Sequence, residues 1–265
     1  MNILVCVKQV PDTTEIKIDP VTNTLIRAGV PSIVNPFDAY ALEMAVRFKD
    51  QQEATVVVVS MGPPQAKAAL KECLAVGADQ AYLVSDRAFG GSDTLATSYI
   101  LSRAIRAVEE KAGKFDLIFC GKQAIDGDTA QVGPEIAEQL GYSQITFITE
   151  ANFENNKVCA IRDTENGREL WESNLPVILT AAKPEFDLRY PTVRKRLAAI
   201  RAEIPVLTLG DISADAERSG LKGSPTKVKK SYVPPRKAGG TMIREASAAA
   251  SAVKLAELLD EAGLV

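Results

Sequence analysis

The chain has 265 residues, 46% of them hydrophobic and 25% charged, the composition of a globular protein able to bury a full core. Its net charge of −3 offers no electrostatic footprint for nucleic acid, and no apolar run is long enough to span a bilayer. Histidine is absent, which removes the usual general base, the Ser-His and Cys-His nucleophile pairs and the commonest transition-metal ligand, so any redox chemistry falls to a cofactor.

Residues 2–10 (NILVCVKQV) form an apolar, β-branched run that fits a central parallel strand covered on both faces, with Lys8 and Gln9 marking its carboxyl end. So short an opening, with Lys8 in it, does not read as a signal peptide. Cys6, Cys73, Cys120 and Cys159 are scattered without a CxxC pair, so buried thiols in the cytoplasm or another reducing compartment are expected, and no metal site. Ile16, Ile18, Leu25 and Ile26 flank turn residues as in a surface hairpin.

Asn35-Pro36-Phe37-Asp38 carries helix-start signals: Asn as cap, Pro at the first helical position and an acid in the first turn. Residues 54–60 (ATVVVVS) read as a second buried strand, ending in Met61-Gly62-Pro63-Pro64 before a helix closed by Gly77. A third strand over 80–85 runs into Gly90-Gly91, with Ser92 or Asp93 capping a helix that continues towards Lys111. Alternation at this spacing implies right-handed crossovers and a doubly wound α/β fold with a mostly parallel sheet.

The fourth strand, Leu117-Ile118-Phe119, leads into residues 120–133 (CGKQAIDGDTAQVG) and then a helix closed by Gly141. Unpartnered N–H groups at a helix start, together with its dipole, make such a turn a candidate seat for phosphate. Gly121 and Gly127 would let backbone approach a ligand, and the Thr129 hydroxyl could bond it. Against this, Asp126 and Asp128 would repel phosphate unless turned away; Asp128 has an alternative role as N-cap, and Asp126-Gly127 is an ordinary turn pair. With strand order 3-2-1-4-5, strands one and four flank the point where the order reverses, and their carboxyl ends face one crevice.

Beyond residue 145 the pattern becomes period-two, with strands near 151–153, 157–162, 169–173 and 176–181 forming an antiparallel edge. Residues 187–201 (DLRYPTVRKRLAAIR) are basic, either as a solvated helix face or as a docking surface for an acidic partner. The expected division is a nucleotide-binding domain over 1–208 and an arm over 209–265, rich in Gly, Ser, Lys and Pro to residue 240 and ending in an amphipathic helix. That helix, with Ala252, Leu255, Leu258 and Leu259 on one face, packs on this chain's domain or on a partner.

The motifs VKQVPDT (7–13), NPFDAYALE (35–43), MGPPQA (61–66), GKQAIDGDTAQVGPEIA (121–137) and DLRYPTVR (187–194) closely resemble the beta subunit of electron-transfer flavoproteins, a likeness covering nearly the whole chain. It departs from the family pattern before Pro176, where Asp163-Thr164-Glu165-Asn166-Gly167 and Trp171 replace an acidic or glycine-rich patch and an aliphatic residue. The resemblance implies an adenine-nucleotide-binding sheet and a heterodimer with an alpha subunit, this chain not being catalytic alone. It implies either FAD or a structural AMP. DRAFGGSDTLATS (86–98) looks like the FAD-binding, electron-bifurcating branch, in which FAD takes hydride from NADH. One electron then goes to a ferredoxin- or flavodoxin-type acceptor and one, through the alpha-subunit FAD, to a flavin-containing dehydrogenase in anaerobic metabolism. With AMP instead, the subunit is a scaffold.

By the same resemblance, Cys6, Asn35, Asp38, Met61 and the run from Gly121 through Gln123, Ala124, Ile125, Gly127, Asp128, Thr129, Ala130 and Gln131 to Val132 hold the AMP half, with backbone donors at 123–125 and 129–132. Thr94 and Thr97 serve the diphosphate or ribityl. Lys8 lies near the flavin's redox end, its alternative being a solvent-facing strand end. Arg189, Tyr190, Val193, Arg194 and Lys195 dock the partner dehydrogenase.

Overall fold

A computed structural model describes residues 1–12, 31–229 and 239–265, so the expected hairpin around Ile16 to Ile26 lies outside the described residues. In chain order the elements are β1 (Asn2–Cys6), β2 (Gln9–Pro11), β3 (Ser32–Val34), α1 (Pro36–Gln51), β4 (Thr55–Met61), α2 (Lys67–Val76), β5 (Gln80–Val84), α3 (Thr94–Ala112), β6 (Leu117–Gly121), α4 (Val132–Leu140), β7 (Ser143–Glu154), β8 (Lys157–Thr164), β9 (Gly167–Asn174), β10 (Val177–Ala181), α5 (Val193–Arg201), β11 (Val206–Leu207) and α6 (Ala248–Glu261). The chain divides into two compact units, the first ending at Lys229.

The first unit is built on one sheet of order β11-β5-β4-β1-β6-β10-β7-β8-β9. From β11 to β7 all pairings are parallel, and β8 and β9 add an antiparallel edge. The central strands β5-β4-β1-β6-β10 have the expected 3-2-1-4-5 order, and the fold is a doubly wound α/β sheet. Side-chain alternation divides the core in two. Ile3, Val5, Val56, Val58, Leu117 and Phe119 face α1 and α2, whereas Leu4, Val57, Val59 and Ile118 face α3 and α4. Burying each large aliphatic or aromatic side chain contributes about 1.5–3 kcal/mol, so these two layers hold the strand ends in place.

Three local expectations are corrected. The opening run is not one strand: β1 ends at Cys6, and Gln9–Pro11 pairs antiparallel with β3 in a separate ribbon. Residues 177–181 are not part of an antiparallel edge; β10 lies fully buried between β6 and β7 and parallel to both, as its unbroken VILTA run suits. The compact unit also runs past the boundary expected at residue 208. Leu209 N–H donates to Asp86 Oδ2 (3.1 Å), Asp215 N–H to Tyr99 Oη (2.9 Å), Gly220 N–H to Ser92 Oγ (3.1 Å) and Thr226 N–H to Asp93 Oδ2 (2.9 Å). Composition marks this segment as irregular, but its backbone donors find fixed acceptors in and around α3.

In the second unit, α6 forms as its periodicity predicts, with Ser247 as N-cap accepting from Ala250 N–H at 3.1 Å. Among the described residues no helix is long and apolar enough to cross a membrane.

Candidate functional site

The carboxyl ends of β1 and β6 meet where the strand order reverses, and α1 seals them from one side. Asn35 precedes α1 as expected, but its side chain makes no cap bond. Instead Nδ2 donates to the Gln123 carbonyl (2.8 Å) and Oδ1 accepts from Ile125 N–H (3.1 Å), fixing the first part of the loop after β6. One turn later Asp38 accepts from Lys8 N–H through Oδ2 (2.7 Å) and from Gly121 N–H through Oδ1 (3.1 Å). Asp38 is buried, with desolvation pushing its carboxyl up to about 7 against the opposing hydrogen bonds of Asn35, Lys8 and Gly121 and the charge of Lys8.

Gly121 has a different reason from the one expected. A Cβ there would lie 2.2 Å from Asp38 Oδ1 and 2.7 Å from the Phe37 carbonyl carbon, so the missing side chain admits the first turn of α1 rather than a ligand. Gly127 does face open space.

The helix after β6 starts later than the sequence suggests. α4 begins at Val132, and Asp128 and Ala130 hold left-handed backbone at φ 51° and 54°. Asp128 is therefore not the N-cap; its carboxylate accepts from Gln123 Nε2 at 2.8 Å. Left-handed alanine is costly, and such conformations concentrate at ligand-holding loops. The backbone N–H groups of Gln123, Ala124, Thr129, Ala130 and Gln131 meet no acceptor among the described residues. The Ile125 N–H, expected as a ligand donor, is occupied by Asn35.

The two aspartates that argued against an anion are both engaged. Lys8 Nζ lies 2.6 Å from Asp126 Oδ1, so Lys8, although it faces solvent just past the end of β1, is not an isolated cation. Cys6 sits opposite Cys120 in register and is buried with it beneath the loop; its neighbouring thiol and burial raise Cys120 well above the usual thiol range. Met61, half-buried, ends β4 beside them.

The start of α3 forms the second wall. Asp93 caps it, accepting from Ala96 N–H at 3.1 Å. Thr94 Oγ1 lies 3.1 Å from both Gln131 Oε1 and Glu135 Oε1, joining this helix start to that of α4. Thr97 is half-buried one turn further on. Sequence reasoning missed Glu135, whose carboxyl is raised by desolvation and whose Oε2 is buried without a partner. Its available signal was the four-residue spacing from Gln131, which puts both on one side of α4.

The structure thus brings Lys8, Asn35, Asp38, Met61, Thr94, Thr97 and the 121–132 loop to one end of the sheet. The expected docking residues lie elsewhere. Tyr190 is 93% exposed and Val193 78%, while Leu197 and Ile200 continue the stripe along α5, with Arg194, Lys195 and Arg196 also exposed. Arg189 is not free for docking, because its guanidinium is held by Glu43 and Asp50 of α1.

A family model of the electron transfer flavoprotein domain matches residues 22–212. The chain is 53% identical over 247 residues to the electron transfer flavoprotein subunit beta of Megasphaera elsdenii, covering 92% of each chain. It is 51% identical over 244 residues to the caffeyl-CoA reductase-Etf complex subunit CarD of Acetobacterium woodii, again covering 92% of each. Protein FixA of Azotobacter vinelandii is 48% identical over 238 residues, covering 88% of this chain and 84% of that protein. With this domain and these relatives, the chain belongs to the electron transfer flavoprotein family and is of its beta-subunit type.

Proposed function

We propose that this subunit holds FAD between the carboxyl ends of β1, β4 and β6, takes reducing equivalents from NADH, and passes them on in two directions. One direction is a ferredoxin- or flavodoxin-type acceptor; the other is an alpha subunit whose own FAD serves a flavin-containing dehydrogenase. The observation that carries the reading is the meeting of two helix starts, α3 and α4, over the free N–H groups of residues 129–131. Both helix dipoles present partial positive charge there, and a diphosphate uses two such ends better than a monophosphate does. One relative's name places it in a complex with a reductase, which supports a partner of that class.

The residues fit an adenine dinucleotide by their donor set: backbone N–H groups at Gln123, Ala124 and 129–131, the hydroxyls of Thr94, Thr97 and Thr129, and open space at Gly127. When bound, the flavin would supply hydride acceptance and one-electron release. The chain's own contribution is positioning. Asn35 and Asp38 fix the loop, the Asp128 carboxylate is directed to Gln123, and Lys8 neutralises Asp126 so that an anion is not repelled. A second reading, AMP as a structural ligand, is favoured by one contact: the Thr94 hydroxyl is already bonded to Gln131 and Glu135.

Cofactor extraction from the purified alpha-beta complex tests the choice. Two FAD per pair is the expected result; one FAD with one AMP would establish the scaffold instead.

A further inference from the structure

Asp38 is too enclosed to touch a nucleotide, at 6% exposed, yet it is the point where the two halves of the crevice are joined. Its Oδ2 holds the N–H of Lys8, just past the end of β1, and its Oδ1 holds the N–H of Gly121, the last residue of β6. Lys8 returns the connection through its carbonyl, which accepts from Asn35 N–H at 2.9 Å. Asn35 in turn grips the 123–125 backbone. A single helix start therefore sets the spacing of both strand tips, Asn35 through separate backbone and amide groups and Asp38 through one carboxylate bonded to both.

We propose that Asp38 is a positioning residue that keeps the two strand tips in register for the nucleotide, which is held more tightly when the carboxylate is ionised than when it is protonated. This rests on the reading that the crevice binds an adenine nucleotide. An ionised carboxylate offers an acceptor to each N–H, whereas the protonated acid turns an O–H towards one of them and leaves that backbone donor poorly matched. The 121–132 loop then loses one of its two attachments to α1.

Burial puts the change near neutrality. Burial raises the carboxyl to about 7, with Asn35, Lys8 N–H, Gly121 N–H and the Lys8 charge opposing it. The titratable groups facing it from neighbouring elements are few. Lys8 comes from the β1 tip and is paired with Asp126 of the loop after β6. Cys120 of β6 and Cys73 of α2 have thiols raised by their surroundings and so remain neutral across this range. The two thiols are therefore not the source of a transition near neutrality, and Glu135, the other raised carboxyl of the site, lies against Thr94 rather than against Asp38.

The test uses the intact alpha-beta complex and measures dissociation of FAD and, separately, of AMP between about pH 6 and about pH 8.5, spanning the raised carboxyl. Retention in the wild type should fall about tenfold towards the acid end, the effect of one buried hydrogen bond. Asp38→Asn should flatten the profile at the weak level, with the fold checked by circular dichroism. Nucleotide binding by the wild type near pH 7 should also release protons, read as a dependence of binding heat on buffer ionisation enthalpy. A flat wild-type profile, or an Asn variant that keeps the wild-type slope, overturns the assignment to Asp38 while leaving the site intact. If neither nucleotide binds at any pH, the site reading itself fails and the proposal with it. Should Asp38→Asn not fold, Glu135→Gln removes the other raised carboxyl of the site: a variant that keeps the wild-type slope supports Asp38, and one with a flat profile overturns the proposal.

Discussion

Arg189 and Glu43 form a two-pronged contact: Nε lies 2.8 Å from Oε2 and Nη2 3.0 Å from Oε1, with the Arg189 N–H also directed to Oε2 at 3.3 Å. Glu43 is buried in α1 and is shared with Arg47 at 3.0 Å, while Arg47 stacks on Phe186 at 3.7 Å. The loop before α5 is thus riveted to the same helix that seals the crevice between β1 and β6. Arg189→Ala should destabilise the fold by about 2–3 kcal/mol, because it strips a buried carboxylate of its bidentate partner while Arg47 remains. Urea unfolding measures this. A change within a few tenths would mean that the loop is held by other contacts.

Exposed charge on α5 should behave differently. Arg194 and Lys195 stand beside Val193, Leu197 and Ile200, an apolar stripe with a basic rim. Reversing both charges should leave stability within about 0.5 kcal/mol. Electron delivery to the dehydrogenase should slow at low salt and recover at high salt, as steering does. NADH oxidation with an artificial acceptor should stay near wild type, and equal loss of both activities would assign α5 to the fold.

Thr94→Val separates two roles of one hydroxyl. Removing it leaves Gln131 and Glu135 without a shared donor at the junction of α3 and α4, at a cost of about 1–3 kcal/mol. Thr97→Val touches no such partner and should lower flavin retention with little effect on unfolding. Flavin occupancy after dialysis checks both variants, and undiminished occupancy in the Thr97 variant would remove that residue from the site.

Glu109 sets an acid limit. Its carboxylate accepts from Lys114 Nζ (2.8 Å), Arg106 Nη1 (2.9 Å) and Phe115 N–H (3.4 Å) at the end of α3. Burial alone would raise this carboxyl, but the hydrogen bonds of Lys114, Arg106 and Phe115 with the charge of Arg106 together hold it below the usual glutamate range. A depressed folded value means that the stabilisation is complete above the unfolded value of about 4.3 and is lost as pH falls through the folded one. Glu109→Gln should be less stable at neutral pH by about 2 kcal/mol or more and should lose less on acidification than the wild type. Thermal unfolding across that window measures the difference, and parallel curves would disprove the linkage.

What the sequence conveyed was local. The apolar strands, the Asn35-Pro36 helix start, the Asp93 cap and the Gly141 stop depend on neighbours within a few residues, and the structure contains each. What it did not convey was where polar side chains end up over long separations. Asn35 reads as a cap and serves the 123–125 loop; Arg189 reads as a docking residue and serves Glu43; Asp128 reads as a cap and serves Gln123. Each pairing depends on which strands became neighbours, and strand order leaves no mark on composition. Residues 177–181 show the remaining difficulty, since a short apolar run can lie at a sheet's edge or its centre until its partners are known.

The last prediction concerns the C-terminal residues. The first compact unit ends at Lys229, and its hydrogen bonds to residues 209–226 make that stretch part of the unit rather than a linker. Helix α6 belongs to the other unit and carries Ala252, Leu255, Leu258 and Leu259 on one face, with Leu255 48% exposed. Exposed apolar surface costs about 25 cal/mol per Å², so such a face favours an apolar partner. An alpha subunit is the proposed one, with the arm tying the subunits together while leaving a flavin-bearing domain of that partner free to move. Deleting residues 246–265 should weaken association with the alpha subunit by about tenfold or more, the effect of covering even a modest apolar area. The truncated chain should unfold at the wild-type urea midpoint and keep its nucleotide. Sedimentation of the two subunits and nucleotide content of the truncated chain are the measurements. Full affinity for the alpha subunit, or loss of nucleotide from a chain that is still folded, would mean that the helix serves its own domain.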